Sequence, residues 1–80
     1  MNTTIEILTA AVPHHTDETI WEMIAELDAR IRTTEETLVM VSLYEVIESR
    51  YDVADAMEAW VMSDSTLTYA QALHAAVEAL

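Results

Sequence analysis

The sequence predicts an all-α fold, on three observations. There is no glycine in 80 residues, and only one proline and no phenylalanine. Tight hairpins and left-handed caps lean on glycine, and phosphate-cradling loops require it. Three Thr-x-x-Glu/Gln capping boxes recur (Thr3/Glu6, Thr33/Glu36, Thr68/Gln71), each the signature of a helix start. Apolar residues recur at intervals of three and four rather than two. Together these predict a small bundle of four to five helices around a central helix at about 34–51. Residues 1–80 form one acidic helical domain, since this length suits a single core.

Taken in order, Thr3-x-x-Glu6 opens a short helix at 4–12 with Ile5, Leu8 and Val12 on one face, and Pro13 stops it. A strand is the rival reading, because Thr4-Ile5-Glu6-Ile7 alternates. Thr16 is the next N-cap, with Asp17 and Glu18 in a first turn where the helix dipole favours negative charge. Ile20, Ile24, Leu27 and Ile31 make the apolar stripe of a helix at 17–32, flanked by Trp21 and Met23. Arg30 and Arg32 fall in its last turn.

Thr33-x-x-Glu36 opens the central helix. Residues 38–47 are the least polar run, and Ser42, Glu45, Ser49 and Asp52 form one narrow polar line. A helix apolar nearly all round is enclosed by other elements. Asp52 is the expected cap of a further helix at 53–63, with Val53, Met57, Trp60 and Val61 inward; one long bent helix is the alternative. Residues 63–66 read as a loop. Thr68 then caps a last helix to about residue 79, with Tyr69, Leu73, Ala76, Val77 and Leu80 inward and Gln71, His74 and Glu78 outward.

Charge is the unusual property. Fifteen carboxylates face three arginines and no lysine, a net charge of −12. Nucleic acid and anionic membrane both need cations, so neither is an expected direct partner. A basic protein surface is. The apolar content, 52%, is too high for disorder. It leaves room for a homodimer that covers the surplus, although Ala supplies twelve of those residues.

Catalytic and cofactor motifs are missing. Without cysteine there is no disulfide or thiolate metal site. His14-His15 reads as a surface turn, and His74 with Glu78 as an i, i+4 contact rather than a zinc site. Asp52, Asp55, Glu58 and Asp64 lack the spacing and glycine of a calcium loop. No metal, cofactor or enzymatic activity is expected. No apolar run spans a membrane, and residues 1–6 lack a basic signal region, so a cytoplasmic location is expected.

The candidate site is therefore a surface. Glu18, Glu22 and Glu26 set three charges along about 12 Å of helix, within a factor of two of the phosphate interval. Glu45, Asp52, Asp55 and Glu58 form a second acidic edge. The competing reading is a solvated face, but −12 exceeds the ~2 to 8 common in small soluble domains. Trp21, Trp60, Tyr44, Tyr51 and Tyr69 with five Met supply either core or an apolar interface. In size and charge the chain resembles the small phage-encoded inhibitors of restriction and CRISPR nucleases, some of which mimic DNA. The likeness implies a non-enzymatic inhibitor of a nucleic-acid-binding protein or nuclease complex, acting in the host cytoplasm. The readings from other classes are a homo-oligomeric helical adaptor whose charge serves solubility, a halophile's small domain, and, with least support, a metal enzyme on His14, His15 and His74.

Overall fold

The computed structural model describes the backbone of residues 3–80 and the side chains of residues 6–80. Five α-helices follow one another, with no strand among the described residues: α1 (Thr3–Ala11), α2 (Asp17–Asp28), α3 (Thr34–Arg50), α4 (Ala54–Val61) and α5 (Tyr69–Glu78). Pro13 ends α1 as its missing N–H requires, but through a 3-10 turn, Val12–His14, that carries Val12 fully buried into the core. The expected box of Thr3 with Glu6, and the inward role of Ile5, lie outside the described side chains.

Helix α2 starts as read, with the Thr16 side chain accepting from the Thr19 N–H at 3.3 Å. It stops at Asp28, four residues short of the expected end. Arg32 explains the stop. Its guanidinium donates to the Leu27 carbonyl at 2.7 Å, while the Thr33 box commits the next residues to a new helix. Ile31, expected inside, is 98% exposed in that connector. Arg30 and Arg32 thus lie beyond the helix rather than in its last turn.

The α3 box is complete: the Thr33 N–H donates to Glu36 Oε1 at 2.9 Å and the Glu36 N–H to Thr33 Oγ1 at 3.2 Å. Its buried residues, Val39, Met40, Leu43 and Ile47, occupy one side only. Leu38 and Val41 are exposed, so α3 is not enclosed all round. The 3-10 turn, α1 and α2 pack directly on α3, whereas α4 and α5 pair with each other and α5 leans on α2. Tyr69 links that pair to α3 through the Tyr44 ring, 4.7 Å away, and by donating its hydroxyl proton to Glu48.

Tyr51 is extended (φ −132°, ψ 144°), which separates α3 from α4 and removes the single-long-helix alternative. The cap position of α4 is Val53, not Asp52, and no side chain caps it. The chain re-enters the helix where Val53 anchors in the core, one residue too late for Asp52. Trp60 is half-buried, but Val61, expected inward, is 67% exposed. The following loop is held without glycine by serines: Ser63 Oγ donates to the Trp60 carbonyl at 2.7 Å and accepts from the Ser65 N–H at 3.3 Å.

In α5 the Thr68/Gln71 box is also complete. Ala70, Ala72 and Leu73 are the buried residues, and Leu80 lies past the end at 70% exposure. The helix ends at Ala29, Met62 and Ala79 all remain right-handed (φ −80 to −83°), as a chain without glycine must arrange. The molecule measures 38 × 25 × 19 Å and exposes 5427 Å². A compact monomer of this mass exposes about 4,900 Å². The core is shallow for its size.

Candidate functional site

All seven acidic residues singled out from sequence are exposed. Glu18, Glu22 and Glu26 lie along α2, each four residues and about 6 Å further on. Glu45 lies on α3, Asp52 in the α3–α4 turn, and Asp55 and Glu58 on α4. The first group is a continuous row on one element. The second is spread over two helices and a turn, and no principal packing contact joins α4 to α2.

The three arginines are all committed elsewhere. Arg50 binds Asp17 Oδ1 at 2.6 Å and donates to the carbonyls of Pro13 (3.0 Å) and His15 (2.9 Å). Arg30 pairs with Glu36, and Arg32 donates to the Leu27 and Arg30 carbonyls. The partnered acids, Asp17 and Glu36, belong to neither candidate group. Among the described residues, no ion pair engages Glu18, Glu22 or Glu26.

These commitments are visible in protonation. The Tyr51 hydroxyl, then Arg50, hold the Asp17 carboxyl below its ordinary 3.8. The Thr33 N–H, assisted by Arg30, holds Glu36 below 4.5. Burial, reinforced by Asp28, pushes Tyr44 up to about 12. Burial and the Glu48 carboxylate do the same to Tyr69, also to about 12.

The histidines do not converge. His14 is exposed, His15 half-buried, and His74 Nε2 meets Glu78 Oε1 at 3.2 Å, the i, i+4 contact expected. Among the described residues no three His, Cys, Asp or Glu side chains could hold a metal ion, and no helix is long and apolar enough to cross a membrane.

Sequence reading missed an open groove of about 600 Å³ between α2 and α5, lined by Trp21, Ala25, Asp28, Ala29, Thr68 and His74 among others. Trp21 from α2 and His74 from α5 meet edge to face within it at 4.7 Å, and alanines make up much of the remaining lining. The legible signal was Trp21, Ala25 and Ala29 at intervals of four, small residues following a large one on the same face. It reads as a groove only once α5 is known to lie alongside. No protein-family model, curated protein or solved structure matches the chain.

Proposed function

We propose that this is a non-enzymatic acidic protein that binds a basic, nucleic-acid-handling partner protein in the cytoplasm and inhibits or regulates it. The anti-restriction and anti-CRISPR type of nucleic-acid mimic is the nearest functional model. One observation carries the reading. All three arginines are tied into helix ends and turns, which leaves the α2 glutamate row uncompensated on an exposed face. An uncompensated row attracts cationic grooves, accelerates encounter and repels nucleic acid itself.

Capture from lysate on the immobilised protein at low salt tests this. The retained proteins are expected to be basic and to be released by double-stranded DNA or RNA and by added salt, since exposed charges are screened beyond about 8 Å at physiological ionic strength. Retention of proteins that neither nucleic acid nor salt releases would refute the reading.

A homo-oligomeric adaptor is the second reading, and exposed apolar side chains favour it. Val61 (67%), Met62 (83%) and Leu67 (44%) border the α4–α5 connection. Sedimentation equilibrium separates the two: a dimer stable at micromolar concentration supports the adaptor, a monomer the acidic binder.

A further inference from the structure

Part of the glutamate row borders the α2–α5 groove. On a helix, residues three apart are surface neighbours. Glu18 and Glu22 each stand three residues before a groove-lining side chain, Trp21 and Ala25 respectively. These two glutamates are therefore the outer rim of an apolar trough along the exposed side of α2. Glu26 lies on the other flank of the helix, where it lines a separate depression with Leu8, Met23, Arg30 and Glu36. On the opposite wall, Glu78 sits against His74. Inside, Asp28 accepts the Thr68 hydroxyl proton on Oδ2 at 2.8 Å, and its Oδ1 has no hydrogen bond among the described residues. At about 600 Å³ the trough falls within the ~300–1,000 Å³ range of ligand sites, and it is bounded by two helices as in helix-in-groove recognition.

We propose that this groove receives a basic amphipathic helix of the partner, its aliphatic face over Ala25 and Ala29 and its arginines on the glutamate rim. The inference rests on the acidic-binder reading and names the partner's chemistry. Charge complementarity selects the occupant. A second copy of this chain would bring another net −12 and three arginines already engaged. The polarity of docking also follows. Arg30 and Arg32 line an adjoining depression that shares Asp28, Ala29 and Thr68 with the groove. The cationic residues of the guest therefore gather toward Glu18 and Glu22, away from that end.

Nuclear magnetic resonance titration of the full chain tests this with two synthetic probes: a leucine–arginine peptide of about four amphipathic helical turns, and oligo-arginine without apolar residues. The first should shift the Trp21 indole N–H and the Ala25, Ala29 and His74 amides together with the rim glutamates. Oligo-arginine should shift the glutamates alone. Ala25 is exposed, so Ala25→Met fills the trough without altering charge. It should weaken the leucine–arginine peptide at least about tenfold and leave oligo-arginine binding unchanged. Ala29→Met reads the same way should the first variant misfold. Leucine–arginine shifts confined to the glutamates, or an unaffected Met variant, would overturn the groove and leave the acidic reading standing. Failure of both probes to move Glu18, Glu22 and Glu26 would overturn both. Groove resonances that move with protein concentration alone would assign the trough to a second copy and overturn the basic occupant.

Discussion

Asp17 does more for the fold than its place in a first helical turn requires. It accepts from Arg50 and from the Tyr51 hydroxyl, so it ties the start of α2 to the end of α3 across 33 residues of sequence. Its folded pKa is depressed, as is that of Glu36, so their stabilisation is complete above their ordinary values, 3.8 and 4.5, and disappears as pH falls through the folded ones. Asp17→Asn should melt below the parent at pH 7, with the gap closing under acid. Tyr44 and Tyr69 work at the other end of the scale. Their raised pKa values mean stability is intact below the unfolded value near 10 and falls as pH rises toward about 12. Tyr69→Phe should flatten that alkaline loss in thermal melts. Trp60 offers a contrary case, because its indole nitrogen is buried without a hydrogen-bond partner among the described residues. An orphaned buried donor costs about 1–3 kcal/mol. Trp60→Phe, which removes that donor and keeps a ring beside Tyr69, should change stability by less than about 1 kcal/mol in denaturant unfolding.

At the scale of elements, α3 is the most consequential. Leu43 and Ile47 are fully buried, so Leu43→Ala or Ile47→Ala should cost about 2–5 kcal/mol, and Thr33→Ala about 0.5–2 kcal/mol through the lost cap. Urea titration of the three variants gives that order. Helix starts were legible in the sequence because a cap is local chemistry: Thr16, Thr33 and Thr68 all bond as their spacing predicts. Helix ends were legible where Pro13 stops α1, and to within a residue for α3 and α5, but not for α2. Without glycine nothing in the local sequence marks the end of α2, and Ile31 continued a periodicity that Arg32 and the next capping box cut short. Asp52 failed as a cap for a related reason, since burial of Val53, a tertiary contact, set the start of α4. The exposure of the acidic row was legible, being periodic within one helix. The groove beside it was not, because its second wall comes from α5, about fifty residues further along the chain.

For the whole molecule, a surface larger than its mass requires carries a net charge of −12. Self-repulsion of like charge destabilises the compact state. Added salt in the 10–150 mM range should therefore raise the melting temperature, even as it weakens partner binding. A self-repelling surface over a small, shallow core is a costly way to be merely soluble, which favours the charge being used. Recapture of the proteins retained by the parent, using the triple variant Glu18→Gln, Glu22→Gln, Glu26→Gln, tests this most directly. Glutamine keeps length and helix propensity, and circular dichroism verifies the fold. The parallel set Glu45→Gln, Asp55→Asn, Glu58→Gln probes the second edge. Affinity for the retained partner should fall at least about tenfold in the α2 variant, with a flatter salt dependence. Unchanged affinity in both sets, with binding abolished instead by substitution of Trp21 or Trp60, would contradict the acidic-surface account.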